Sequence, residues 1–368
     1  MEADTTASPF YMLALETTCD ETSAAVIEGP WPPVADLDSG WPVPRCLSNI
    51  VSSQVDLHSP YGGVVPEIAS RAHLTAILPV IRQSLDAAGI DYPDLSAIAI
   101  ATKPGLVGAL VVGLSVAKTL SIVLGKPLIT YDHMEAHLYA AQLATPSAHI
   151  FPCLGLIVSG GHTTLMDCQT ALDTTWLGGT LDDAVGEAFD KVASMLRLGY
   201  PGGPVIQRAA ESGDPKSFDF PRPFSQETRL VFSYSGLKTA VLRALQANQP
   251  MADDPLQRPL LIANLAASFQ AAAVESVVIK TRQALRQTGH KRLVVGGGVA
   301  ANRLLRKALE EMCHRQKAEL FIPPMWLCTD NAAMGAVAYL KLCRGELADL
   351  DCDVVAGLLR PNNGRIKR

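Results

Sequence analysis

No apolar run in this chain reaches the roughly 20 residues that a membrane-spanning helix needs. The longest candidate, 105–124, carries Lys118 among repeated glycines and reads as a buried helix. No two of the eight cysteines make a CxxC pair, the pattern expected of free thiols in a reducing cytoplasm. The first residues lack the basic start of a signal peptide and the arginines of a transit peptide, so the expected location is cytoplasmic, with no membrane partner. Surplus positive charge is missing too. A net charge of −5 over 368 residues argues against indiscriminate nucleic-acid binding, so any RNA substrate needs a local basic patch or a partner's help. Candidate patches are Lys291-Arg292, Arg303/Arg306/Lys307, Arg315/Lys317 and the basic residues of 365–368. With 48% hydrophobic and 18% charged residues the chain is not disordered; it fits a well-buried enzyme of about two domains.

Three signatures are also absent. Lys118-Thr119 follow Ala117 where a Walker A loop requires glycine, and Gly113 is misplaced for its spacing. The 292–302 segment runs strand, glycine turn, helix, but lacks G-x-G-x-x-G order, so a Rossmann dinucleotide site is not expected. Close backbone approach to a flat ring stays open, with Asn302 offering a donor and an acceptor at the helix mouth. A zincin protease needs HExxH, whereas 133–137 reads H-M-E-A-H. Glu135 then lies about 200° round a helix from His133 and points away from any metal there. Peptidase chemistry lacks its general base.

What is present starts at that same stretch. A short apolar run ends in Asp132, a good helix N-cap, and His133 and His137 follow at i and i+4. That spacing puts both imidazoles on one helix face, about 6 Å apart, close enough to grip one metal ion. Two neutral nitrogens suit Fe, Zn, Mn or Ni, and such sites usually add a carboxylate and keep open positions. The plain alternative is two polar residues sharing a face.

Two segments echo each other. Residues 11–27 and 153–166 each read strand, short polar turn, strand, with Thr-Thr-Cys-Asp in the first turn and Ser-Gly-Gly in the second. Such turns expose N–H groups that suit phosphate oxygens, and two facing each other would clamp a nucleotide. A Pro/Trp-rich insertion at 29–44 is expected as an exposed loop, because prolines cannot sit in a central strand. Pro66 opens a long helix. Asp183, Glu187 and Asp190 are expected on one helical stripe. The 200–204 segment is expected as a tight turn using glycine freedom, 232–239 as a helix entry with hydroxyls and a lysine, and Thr329 or Asp330 near the N-cap of a further helix.

Read together, LETTCDETSAAV, HSPYGGVVPEIASRAH, KPGLVGAL, HMEAHL, VSGGHT, DDAVGEAFDK, YPGGP, FSYSGLKTA, GGGVAANR and CTDNAAMGA resemble one family through nearly the whole chain. It is that of the tRNA N6-adenosine threonylcarbamoyltransferases (TsaD), in its bacterial branch, formerly described as O-sialoglycoprotein endopeptidases. The resemblance implies an α/β fold like actin, Hsp70 and sugar kinases, with two duplicated ribonuclease-H-like lobes and a central cleft. The lobes are expected at 1–150 and 151–368, the last helices packing back on the first. The resemblance also implies transfer of threonylcarbamoyl from threonylcarbamoyladenylate to N6 of adenosine 37, in tRNAs reading codons that begin with A, with release of AMP.

Carried over by motif, the metal ligands fall on His133, His137 and Asp330, with Fe2+ the implied ion and Zn2+ a possible occupant. The donor's adenylate falls along Ile157, Val158, Ser159, Gly160 and Gly161, with Asp190 and Gly203 near the ribose and Asn302 near the adenine. Asp20 and Glu21 match acids required for transfer. A TsaB-like paralogue and a TsaE-like ATPase are the implied partners. Rival readings are a metallo-glycoprotease, an actin-fold small-molecule kinase, and a non-catalytic scaffold that would have lost its histidines. Three features depart from the family pattern: Lys103 replaces a small residue and could add charge near phosphates, Tyr234 replaces phenylalanine, and the 29–44 loop is longer.

Overall fold

The computed structural model describes residues 9–30 and 43–357. They form two compact units: one gathers the described residues of Met1–Gln54, Val64–His149 and Asp330–Arg368, the other Val55–Gly63 and Ile150–Thr329. Most of the 29–44 insertion (31–42), and the basic residues of 365–368, lie outside the described residues.

In the first unit β1 (Phe10–Glu16) and β2 (Glu21–Gly29) form an antiparallel hairpin in which Glu16 faces Ser23, and β3 (Arg45–Ser53) continues it. All of β1 except Tyr11 is buried, as expected of a strand covered on both faces. The single turn α1 (Val55–His58) belongs to the other unit. Helix α2 (Pro66–Ala88) has Pro66 in its first turn, where a missing N–H costs nothing, and stops at Gly89 with φ 72°. Then come β4 (Ala97–Lys103), α3 (Val107–Leu124), β5 (Leu128–Asp132) and α4 (His133–Ala144). The sheet order is β3-β2-β1-β4-β5, with β4 parallel to both β1 and β5.

The second unit repeats this plan. Antiparallel β6 (Cys153–Val158), β7 (Thr163–Cys168) and β8 (Thr174–Gly179) are followed by α5 (Val185–Met195), α6 (Gly202–Ala210), α7 (Ser235–Ala247), α8 (Gln249–Asp253) and α9 (Arg258–Thr288). Next are β9 (Arg292–Gly296), α10 (Arg303–Gln316), β10 (Glu319–Phe321) and α11 (Met325–Cys328). The order β10-β9-β6-β7-β8, with β9 parallel to β6 and β10, is that of the first sheet. The echo between the two strand–turn–strand segments is therefore an echo of whole topologies. Leu154, Leu156 and Val158 of β6 pack in one core with Phe189 and Phe269, whose rings meet edge-on at 5.0 Å. The chain then returns to the first unit through a 3-10 turn (Ala332–Ala336) and α12 (Val337–Cys343).

Four local expectations need correction. Helix α5 starts only at Val185, so Asp183 precedes it and does not share a helical stripe with Glu187 and Asp190. The 200–204 segment starts α6, and the left-handed backbone is at Gly199 (φ 99°) instead. Gly202 is needed for another reason: a Cβ there would stand 2.4 Å from the Phe189 carbonyl oxygen. Asp330 does not cap a helix, because Asn331 holds the cap position of the following turn. Helix α3 is buried on one face only, leaving Val107, Val111, Ile122 and Val123 exposed. By length and composition α3 and α9 could each cross a membrane, but the most apolar stretch of α9 is 72% buried within the protein.

Candidate functional site

The histidine pair is placed by the strand-to-helix corner of the first unit. β5 ends at Asp132, whose Oδ1 accepts the Met134 N–H at 2.7 Å and caps α4. His133 therefore opens the helix and His137 follows one turn on. Their rings meet edge-on with centroids 4.5 Å apart. Asp330 Oδ1 lies 3.1 Å from His137 Nε2 and 3.6 Å from His133 Nε2. One ligand atom from each of the three residues fits within 4.8 Å, the one such group among the described residues.

The donor set fits a divalent ion. Both histidines are buried, yet neither ring nitrogen of His137 makes a well-aligned hydrogen bond. Buried polar atoms left this way are costly unless something else satisfies them. Burial alone would push the His133 imidazole down, but the Asp330 and Glu16 carboxylates beside it hold it up at about 9. His137 moves the other way, lowered by burial and by the neighbouring His133 charge.

The β1–β2 turn lies against this group. Half-buried Glu21 loses water, and with Asp20 and Asp330 close its carboxyl is pushed well above the ordinary range. The Cys19 thiol is pushed up by burial and by the same acids, which makes it a poor nucleophile. Buried His73 holds the turn: its Nε2 is 3.0 Å from the Cys19 carbonyl oxygen and its Nδ1 2.8 Å from Thr22 Oγ1. The glycines of KPGLVGAL let the chain approach that turn, since a Cβ on Gly105 would meet the Thr18 carbonyl oxygen at 2.6 Å. Asp330 is fixed from behind: Ser23 Oγ accepts the Ala332 N–H at 2.9 Å and Asn49 Oδ1 the Ala333 N–H at 3.2 Å.

In the second unit, buried Ile157 and Val158 end β6, and the turn closes through the Ser159 N–H donating to the His162 carbonyl at 2.8 Å. A Cβ added at Gly160 or Gly161 would meet nothing within 4 Å, so this backbone faces open space. Gly203 is equally open, while Asp190 Oδ1 accepts the Gly202 N–H at 2.7 Å and anchors the start of α6. Asn302 caps α10 by accepting the Leu305 N–H at 3.0 Å, and its amide donates to Gln270 Oε1 at 2.7 Å. Both of its polar groups are thus engaged by the protein itself.

Several residues escaped the sequence reading. Glu16, Ser23, Asn49 and His73 support the first unit's site, and only the acid at the end of a buried strand gave any local signal. Asp182 accepts from the Ser233 and Ser235 hydroxyls at 2.5 and 2.6 Å, and Asp183 binds Lys191 and Lys238 at 2.7 and 2.8 Å. Asp182 and Asp183 therefore pin the start of α7. The arginines of the candidate RNA patches have partners within the protein: Arg303 pairs with Glu211, Arg315 with Glu311, Arg292 with Glu319, and Arg306 donates to the Ala300 and Pro323 carbonyls.

Known proteins share this chain's sequence and fold. The family profile of TsaD, tRNA N6-adenosine threonylcarbamoyltransferase, matches residues 45–337. A tRNA N6-adenosine threonylcarbamoyltransferase of Rhodopirellula baltica is 46% identical over 96% of this chain and 99% of its own length. That of Trichlorobacter lovleyi is 50% identical, over 92% and 94%. Among solved structures, full-length HypF in its phosphate- and nucleotide-bound form has a TM-score of 0.58 at 11% identity, over 92% of this chain and 48% of HypF. HypF of T. kodakarensis also scores 0.58, at 14% identity over 93% and 49%. These two likenesses show the actin-like fold. Sequence likeness over almost the full length leaves one assignment, and the chain belongs to the TsaD family of tRNA N6-adenosine threonylcarbamoyltransferases.

Proposed function

We propose that this transferase moves the threonylcarbamoyl group of threonylcarbamoyladenylate to N6 of adenosine 37, in tRNAs reading codons that begin with A. The observation that carries the reading is the His133–His137–Asp330 group, within 4.8 Å, with the raised carboxyl of Glu21 beside Asp330. The adenine amine is a weak nucleophile because its lone pair is delocalised into the ring. The mixed anhydride of the donor compensates with a good leaving group. N6 attacks the carbamoyl carbon, a C–N bond forms, the C–O bond to phosphate breaks, and AMP leaves. Glu21, with Asp20 as its neighbour, accepts the amine proton; a carboxyl raised by lost hydration is a stronger base than an ordinary one.

In the second unit, Ile157, Val158 and the open Ser159-Gly160-Gly161 backbone hold the donor's phosphate, with Asp190 and Gly203 at the ribose. Asn302, whose cap bond and Gln270 bond fix its side chain, shapes the adenine's surroundings. His133, His137 and Asp330 would hold a divalent metal, Fe2+ or else Zn2+, which when bound supplies Lewis-acid polarisation of a donor oxygen. A TsaB-like paralogue and a TsaE-like ATPase are the proposed partners, acting in the cytoplasm. Exposed Leu74 and Leu78 of α2, with Val111 and Ile122 of α3, offer the first unit an apolar surface for one of them.

A peptidase reading gains no support. Glu135 stands two positions after His133 on α4, about 200° round the helix, away from the face that carries both histidines.

The test is incorporation of labelled threonine into unmodified tRNA, with threonylcarbamoyladenylate synthase, ATP, bicarbonate and both partners. Label with the wild-type chain and none with His133→Ala/His137→Ala is the expected result. Equal label from both would make the metal site dispensable for transfer, and no label from either would overturn the reaction proposed.

A further inference from the structure

Glu16 is fully buried at the end of β1, and its two carboxylate oxygens have separate partners. Oε1 accepts the backbone N–H of Thr18 at 2.8 Å, and Oε2 lies 3.2 Å from His133 Nδ1. Thr18 Oγ1 is also 3.2 Å from that nitrogen. On the other side of the ring, His133 Nε2 faces Asp330 Oδ1 at 3.6 Å. A carboxylate can only accept, so the Glu16 contact requires a proton on Nδ1. We infer that Glu16 is a positioning residue that holds His133 in the Nδ1–H form and so presents Nε2 to a metal ion. This rests on the metal-site reading of His133, His137 and Asp330. Outer carboxylates of this kind fix the ring and raise its basicity as a ligand.

The geometry makes one substitution decisive. In Glu16→Gln the Thr18 N–H still needs an acceptor, so the amide oxygen stays there and the amide NH2 turns toward His133 Nδ1. An NH2 donates, which makes Nδ1 an acceptor and moves the ring proton to Nε2, the metal-facing atom. Shape and volume are almost unchanged while the ligand atom is blocked. Thr18→Ala removes only the hydroxyl and leaves both Glu16 bonds in place.

The test measures Zn2+ affinity by chelator competition, and histidine side-chain 15N–1H correlation spectra of the Zn2+-loaded full chain. Wild-type protein is expected to show a proton on His133 Nδ1 and metal-shifted Nε2. Glu16→Gln is expected to bind Zn2+ about 10- to 100-fold more weakly, with thermal unfolding of the metal-free chain unchanged; Thr18→Ala is expected to stay within a few-fold of wild type. A wild-type spectrum with metal on Nδ1 would overturn the inference without any variant. So would unaltered affinity in Glu16→Gln, or an equal loss in Thr18→Ala. If wild type and His137→Ala bind Zn2+ equally, the metal-site reading itself fails, a result separable from the others.

Discussion

Lys103 Nζ stands 3.6 Å from Asp132 Oδ2, so a cation sits beside the carboxylate that caps the histidine helix. Both side chains keep some solvent contact, and exposed pairs of this kind contribute little. Lys103→Ser is therefore expected to change unfolding free energy by less than about 1 kcal/mol and to leave Zn2+ stoichiometry intact. Loss of metal binding in this variant would mean that the pair holds the cap, not Asp132 alone.

The Asp330 and Glu16 carboxylates overcome burial and hold the metal-free His133 imidazole up at about 9. At neutral pH a metal must therefore displace a proton from this ring. Apparent affinity is expected to rise roughly tenfold per pH unit between 7 and 8, with proton release visible by calorimetry in buffers of different ionisation enthalpy. A flat affinity would show that His133 is already neutral.

Glu21→Gln removes the proposed base while keeping its size. Transfer should fall by about 10²- to 10⁴-fold with tRNA and donor saturating. Because lost hydration and Asp20 raise the Glu21 carboxyl, the wild-type rate should drop on acidification earlier than an ordinary carboxylate would allow. An unchanged single-turnover rate in the variant would remove Glu21 from the chemistry.

Gly160→Ala and Gly202→Ala separate ligand contact from packing. The first places a methyl in open space, whereas the second meets the backbone of Phe189 and Asp190 at 2.4 to 2.5 Å. Gly160→Ala should keep the wild-type melting temperature but raise the KM for the donor; Gly202→Ala should lower stability. Unaltered donor KM in Gly160→Ala would argue against phosphate at this turn.

Tyr234 is fully buried and its hydroxyl has no hydrogen-bond partner among the described residues. Burial pushes the phenol up, so it stays neutral, and an unsatisfied hydroxyl destabilises the fold. Tyr234→Phe is expected to raise unfolding free energy by about 1 kcal/mol, measured by urea titration. A loss of stability would reveal a bound water or a hidden partner.

What could be read from sequence was what is local along the chain. Asp132 capping a helix with His133 and His137 on one face needs only neighbouring residues, and so does a polar turn between two apolar strands. Asp330 came from the family resemblance, and its carboxylate does lie beside both histidines, in a group that could hold a metal ion. Glu16 pairs with a ring 117 positions away, a relation set by strand order that no local pattern encodes. Asp183 misled for the opposite reason: its spacing suits a helix, but its two lysines hold it outside one. Asn302 was placed near the adenine by the resemblance alone, and both ends of its amide are occupied by the protein itself.

The first unit takes chain from both sides of the second, since Asp330 and the 3-10 turn behind it come from beyond residue 329. During synthesis the strands and both histidines leave the ribosome early, but the third ligand emerges only after all of the second unit. The nascent chain therefore cannot bring the three side chains together until the second unit has been made. A chain terminated before residue 330 would carry the histidine pair without the carboxylate that lies beside it.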